Sequence, residues 1–243
     1  MQINFGGREI AIKLVYYGPA LSGKTTNLRS LHQATTEGAR GRLMTLETKD
    51  DRTLFFDMLP LTFRADGDRG MSLRIKVFTV PGQVLHASTR RLVLQGADAV
   101  AFIADSQISE TEHNAASFLD LRQNLAELGM SLKELPVVIQ FNKRDLDRVR
   151  SDDEIGALAR RGKEPVFKAS AVNGTGVLET FFGLLHLTWT KLEAEHQLAK
   201  MIGVAPGDLL PMAAQQLGLK TDVSTLLAAC AGGDLARHTK VPA

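Results

Sequence analysis

Cysteine is almost absent from this chain: among 243 residues there is one, Cys230. An intramolecular disulfide framework is therefore excluded, and the residue usage suits a reducing cytoplasm. Long apolar runs are missing as well, none approaching the ~20 residues of a membrane-spanning helix. Neither sign of charge dominates. A formal net charge of +2 is too small to make nucleic acid the main partner. The start, Met1-Gln2-Ile3-Asn4, has neither a signal-peptide layout nor the glycine of a myristoylation site. The end, Lys240-Val241-Pro242-Ala243, is not a prenylation box, so no lipid anchor is expected. The histidines are scattered and offer no metal-ligand spacing.

What the chain does have is apolar residues, at 44%, enough for a full-sized core in one domain with an appendage. Apolar, β-rich runs recur at Glu9–Tyr16, Leu43–Leu46, Leu73–Val80, Ala99–Ala104, Val137–Phe141 and Val166–Ala169. Helical patterns lie between most of them. The stretch from Thr111 to Leu128 sets Ala115, Phe118, Leu119, Arg122, Leu125 and Leu128 at helical spacing, with Gly129 as a stop. Ser151-Asp152-Asp153-Glu154 reads as a capping box. From Val177, residues Leu178, Phe181, Leu185, Trp189 and Leu192 keep a 3–4 spacing. Strands alternating with helices predict an α/β fold, with a mixed, mostly parallel sheet of six strands covered on both faces. One connection is irregular: Glu47 to Gly70 carries the knot Leu54-Phe55-Phe56 and Pro60, with a turn over Arg64 to Gly70, as in a hairpin.

Chemistry enters at Gly18-Pro19-Ala20-Leu21-Ser22-Gly23-Lys24-Thr25, which fits the phosphate loop G-x-x-x-x-G-K-[ST] between a strand and a helix. Two glycines let backbone N–H groups curl round a polyphosphate, and the helix start adds partial positive charge. Lys24 reaches β- and γ-phosphates, Thr25 ligates Mg²⁺, and Thr26 extends the cradle. Downstream, Asn142-Lys143-Arg144-Asp145 follows a buried-looking strand. Asp145 has the acceptor pair that guanine's N1–H and exocyclic amine require and that adenine does not satisfy. Asn142 would tie this loop to the phosphate loop, the Lys143 stem would lie along the base, and a backbone N–H at Ser170-Ala171 would meet the guanine O6.

Together these motifs resemble the Ras superfamily of small GTPases, and in particular the bacterial MglA group of gliding-motility and cell-polarity switches. The resemblance covers about residues 1–190. It is carried by Tyr16-Tyr17-Gly18-Pro19, Asp51-Arg52-Thr53-Leu54-Phe55-Phe56-Asp57, Thr79-Val80-Pro81-Gly82-Gln83, Ala104-Asp105-Ser106-Gln107 and Asn142 to Leu146. It implies a P-loop Ras-like fold, GTP and GDP as ligands with Mg²⁺, and a slow switch stimulated by a roadblock-domain activator of the MglB type, acting on downstream effectors. It implies roles too: Gln83 orients the attacking water, Arg52 is an intrinsic arginine finger, and Thr53 joins Thr25 on the metal. The Gly82 N–H senses the γ-phosphate. Thr79 stands where most small GTPases have aspartate, from which weaker Mg²⁺ retention is expected. His86, Arg90 and Arg91 are read as solvated or partner-facing surface, and Leu54-Phe55-Phe56 as exposed contacts for the activator. Any recruitment to the cell pole or membrane is left to partners.

Residues 1–194 are read as the GTPase domain and 195–243 as an extension of short apolar helical segments, Met212–Leu219 and Val223–Ala231, with Leu226, Leu227 and Cys230 on one face. The extension either packs on its own domain or docks a partner. Two other classes stay open: a GTP-binding adaptor with incidental hydrolysis, and a P-loop ATPase or kinase.

Overall fold

The computed structural model describes residues 1–46, 56–65, 70–81, 87–233 and 235. Its strands are β1 (Gln2–Asn4), β2 (Glu9–Tyr17), β3 (Met44–Leu46), β4 (Phe56–Phe63), β5 (Ser72–Thr79), β6 (Ala99–Asp105), β7 (Val137–Asn142) and β8 (Val166–Lys168). Its helices are α1 (Lys24–Gln33), α2 (Ala87–Leu94), α3 (Thr111–Glu127), α4 (Asp152–Arg161), α5 (Val177–His196), α6 (Leu198–Ile202), α7 (Leu209–Gln216) and α8 (Val223–Ala228). One sheet runs β3-β4-β5-β2-β6-β7-β8, with β1 paired to β2. From β5 through β8 the neighbours are parallel. The pairs β3–β4, β4–β5 and β1–β2 are antiparallel.

The α/β class and mostly parallel sheet agree with the sequence, but the sheet has eight strands among the described residues, not six. The added ones are β1 and β4. Strand β4 lies inside the connection read as irregular, and it contains Pro60, a residue rarely accommodated inside a sheet. The proline is tolerated for a visible reason. Its carbonyl accepts from Gly41 N–H at 2.8 Å, on the side away from β5. The absent N–H falls on that same side, where the ladder to β3 has already ended at Met58. The hairpin of β4 and β5 is present, with Met58–Phe63 facing Phe78–Leu73.

Alternation along the central strands sends side chains into two cores. Ile10, Ile12, Leu14 and Tyr16 of β2 join Ala99, Ala101 and Ile103 of β6 on the face covered by α1 and α5. Val15, Tyr17, Val100, Phe102 and Ala104 join the other face, under α2, α3 and α4. Both faces of β6 are thus buried, the usual condition of a central parallel strand.

Helix α3 spans nearly the expected residues and stops at Gly129, whose φ of 70° suits a glycine. Its buried side agrees with the expected stripe at Phe118, Leu125 and Leu128 but not at Ala115, Leu119 and Arg122, which are exposed. Leu121, Asn124 and Leu125 face inward, while Leu119 is 56% exposed. The helix also turns Asn114 and Asn124 inward as hydrogen-bonding groups, which shifts the buried face away from Leu119 and Arg122. The capping box of α4 forms as expected: the Ser151 hydroxyl accepts from Glu154 N–H, and the Glu154 carboxylate accepts from Ser151 N–H.

Helix α5 is buried nearly all round, including Phe182, Leu184 and Leu187 off the expected stripe. The cause is the chain that follows. Helices α6, α7 and α8 pack Leu198, Ile202, Leu209, Ala213, Leu217, Val223 and Leu226 into the same core as α1 and α5. No helix among the described residues is long and apolar enough to cross a membrane.

Candidate active site

The chemistry-bearing loops leave the sheet at the carboxyl ends of parallel strands, where an open α/β sheet forms its ligand crevice. The phosphate loop follows β2, Thr79 ends β5, Asp105 ends β6, Asn142 ends β7, and Ser170 lies just past β8. Two glycines are set by close approach. Gly18 has φ 147°, and a Cβ there would stand 2.2 Å from the Ile103 carbonyl oxygen. Gly23, at φ 96°, caps α1, and its Cβ would meet the Asn142 amide at 2.2 Å. No side chain fits between this loop and its neighbours.

Lys24 is buried, its Nζ donating to the carbonyls of Gly18 at 2.9 Å and Pro19 at 2.6 Å. Burial first, and the positive charge of Arg90 second, push its ammonium down to about 7. An anion in the loop would reverse that cost by supplying the missing counter-charge. The Ser22 hydroxyl in the same loop is fully buried without a partner. Thr26 is half-buried in the first turn of α1.

Asn142 joins three loops. Its amide donates to the Ser22 carbonyl at 2.8 Å, and its Oδ1 accepts from Ala171 N–H at 2.9 Å. The phosphate loop and the two candidate base-reading loops are therefore tied together through one side chain. Asp145 accepts from the Ser170 hydroxyl, and Arg144 N–H donates to the Ala169 carbonyl at 3.0 Å. Lys143 adopts the left-handed region at φ 65°, with its Nζ 2.5 Å from the buried carboxylate of Asp105.

The structure also supplies a group that the motif reading left without a role. Asp57 enters from β4 and is 7% exposed. Its Oδ2 accepts from Thr25 Oγ1 at 2.6 Å and Thr79 Oγ1 at 3.3 Å, and its Oδ1 from Thr45 Oγ1 at 2.8 Å. Its own N–H donates to Thr79 Oγ1 at 2.9 Å. Among the described residues no cation pairs with this carboxylate. A buried carboxylate whose side-chain partners among the described residues are hydroxyls, beside the Thr25 oxygen, is a hard-oxygen setting suited to a divalent cation. The sequence signal was slight: one acidic residue on the buried side of an alternating run.

Arg90 corrects an expectation. It is 5% exposed, not solvated, with Nε 2.9 Å from Asp120 Oδ2 and Nη2 3.3 Å from Oδ1. Asp120 also accepts from the hydroxyl of Tyr17, the residue before Gly18, and Asn124 donates to that hydroxyl at 3.1 Å. Linear sequence cannot reveal this pairing between α2 and α3. Arg91 is partly exposed and paired with Glu127. Phe56 is partly buried against Phe78, with ring centroids 6.0 Å apart, rather than exposed. Arg52, Thr53, Leu54, Phe55, Gly82, Gln83 and His86 lie outside the described residues.

A phosphate loop tied through Asn142 to the loops after β7 and β8, on this sheet, is the architecture of a Ras-like small GTPase. Comparison with known proteins carries the assignment further. The chain is 45% identical over 192 residues to the mutual gliding-motility protein MglA of Myxococcus xanthus, a match covering 79% of this chain and 97% of that protein. It is 28% identical over 197 residues to human Ras-related protein Rab-27A, covering 77% and 83% of the two chains. No family model matches. The chain belongs to the MglA family of Ras-superfamily GTPases, which bind GTP and hydrolyse it.

Proposed function

We propose that this GTPase is a regulated switch in bacterial gliding motility or cell polarity, working in the cytoplasm and reaching the membrane or pole only through partners. Residues 1–194 form the switch, and 195–243 are an appended segment. Asp145, with the Ala171 N–H, reads guanine, and Asn142 sets their spacing to the phosphate loop. The amides of Gly18–Thr25 and the Lys24 ammonium clamp the phosphates. Hydrolysis is in-line attack of water on the γ-phosphate: Gln83 orients the water, Gly82 N–H holds a γ-oxygen, and Arg52 neutralises charge on the transferring group once a roadblock-domain activator rearranges its loop.

Mg²⁺, when bound, offsets charge on the β- and γ-oxygens. Thr25 and Thr53 would hold it, with Thr79 and Asp57 behind them. Asp57 changes the expectation drawn from Thr79. The carboxylate that most small GTPases carry at the end of the strand before the glycine is supplied here from the neighbouring antiparallel strand. Mg²⁺ retention is then ordinary rather than weak.

The observation that carries the reading is Asn142 bonded to Ser22 and Ala171 at once. Competition of GTP against ATP, followed by single-turnover hydrolysis with and without a roadblock-domain partner, tests it. Equal affinity for the two nucleotides rejects the guanine site; hydrolysis indifferent to the partner rejects the regulated switch.

A further inference from the structure

We propose that Ala231–Gly233, the stretch after α8, is a positioning element for the guanine-reading loop at Ser170–Ala171. It serves as an outer strand on β8, the strand that carries that loop. The proposal rests on the reading of Ser170–Ala171 as part of the base site.

Strand β8 has only three residues, Val166–Lys168, and β7 is its one neighbour among the strands of the sheet. So short a strand at a sheet edge has few bonds to fix its place. The chain after α8 returns to its open side. Ala231 N–H donates to the Val166 carbonyl at 2.7 Å, and Val166 N–H donates to the Gly232 carbonyl at 2.9 Å. These bonds make an antiparallel bridge between Val166 and Gly232. On the other side, Ile139 N–H of β7 donates to the Pro165 carbonyl at 2.8 Å. The root of β8 is thus gripped from both sides.

The fit of this segment is specific. Gly232 lies against α4, where a Cβ would stand 2.7 Å from Ala159 Cβ. A Cβ on Gly233 would stand 2.4 Å from the Glu164 carbonyl oxygen, just before β8, and its φ of 95° favours glycine. On either side, Cys230 and Leu235 pack against the core around α5, and the Leu235 backbone is hydrogen-bonded to His186 of that helix. The grip passes from β8 directly to the site. Ala169 N–H donates to the Phe141 carbonyl at 2.9 Å, and the Ala169 carbonyl accepts from Arg144 N–H. Ser170 then bonds Asp145, and Ala171 N–H bonds Asn142. A tilt of β8 would change the separation of Ala171 from Asp145, two groups that must meet one base together. Hydrogen bonds weaken steeply as their angles open, so a loop fixed at its root reads the base better than one fixed at its tip alone.

Two variants of the full-length chain test the role. Gly233→Ala opposes the bridge by its Cβ, and Ala231→Pro removes the donor to Val166. Amide exchange at Val166 reports the bridge, while competition against a fluorescent nucleotide gives the affinities for GDP, ADP and pyrophosphate. Both variants are expected to speed exchange at Val166 and to weaken GDP about three- to tenfold, the worth of one hydrogen bond. Pyrophosphate, which meets only the phosphate loop, should bind as before, so the preference for GDP over ADP narrows. Equal weakening of GDP and pyrophosphate overturns the positioning role, because a general loss of structure would do the same. Unaltered GDP affinity with Val166 exchanging freely overturns it too. So does protection of Val166 that survives in both variants, since the bridge would then not be what holds β8. A wild-type chain that binds GDP and ADP alike places the fault instead in the guanine reading.

Discussion

Replacing Asp57 by asparagine removes one charge and almost no volume. In the protein without nucleotide the effect is small. Hydroxyls can turn and accept from the new amide, and removing a buried charge that has no cation partner among the described residues also removes its desolvation cost, so folding stability changes by about 1 kcal/mol or less. The metal-bound state is different. The Thr25 hydroxyl stands 2.6 Å from Asp57 Oδ2. An ion on that hydroxyl therefore feels the carboxylate at about 4–5 Å. A divalent and a monovalent charge at that distance attract by about 2 kcal/mol in water and about 7 at an effective dielectric of 20. Partial desolvation returns much of this, leaving about 1.4–3 kcal/mol, or tenfold to somewhat over a hundredfold in Mg²⁺ affinity. Fluorescent GDP release measured against free Mg²⁺ should show the midpoint displaced upward by that factor, with the melting temperature nearly unchanged. An unmoved midpoint would refute the argument that β4 supplies the missing charge.

Thr79→Asp, a restoration of the common motif, should destabilise this protein, because it sets a second carboxylate against a buried one; thermal melting at pH 7 and pH 5 would show a deficit that shrinks on acidification, as a pair of like charges takes up a proton. Asn142→Ala strands the Ser22 carbonyl and the Ala171 N–H, both buried polar groups, and should cost about 1–3 kcal/mol for each, read as weaker GDP binding by calorimetry. Gln83→Leu and Arg52→Ala should bind GTP normally and lose activator-stimulated hydrolysis, by about 10³-fold or more for the arginine in single turnover. Gly183→Ala would drive a Cβ to 2.3 Å from Phe167 Cζ inside the core. Urea unfolding should show a loss of about 1–3 kcal/mol, and an unchanged midpoint would mean the ring has room to move.

Residues that act through local spacing were legible from the start. The phosphate loop is eight consecutive residues whose glycines answer to their own backbone and nearest packing. The Ser151–Glu154 cap closes within one turn. Asn142 was expected to reach the phosphate loop and does so through the Ser22 carbonyl. The face of α3 was legible at Phe118, Leu125 and Leu128 but not at its inward asparagines, which look like surface until Asp105 and Tyr17 stand beside them. Strand β4 was missed because a proline is damaging only where its N–H is needed, and that depends on which neighbour the strand has. Arg90 looked like surface because its partner, Asp120, is thirty residues away on another helix.

The sequence by itself determined that this chain carries the phosphate-loop and Asn-Lys-x-Asp motifs of a GTPase, because those are short runs whose spacing is local. Only the tertiary structure decided that a carboxylate, Asp57, stands beside Thr25 and Thr79, where we propose that it serves the cation. Read along the chain, Thr79 is a charge lost. Read across the sheet, the antiparallel pairing of Met58 with Phe78 sets Asp57 beside Thr79 and returns it. Strand pairing joins residues by register rather than by distance in sequence, and a single slip would turn Asp57 to the opposite face.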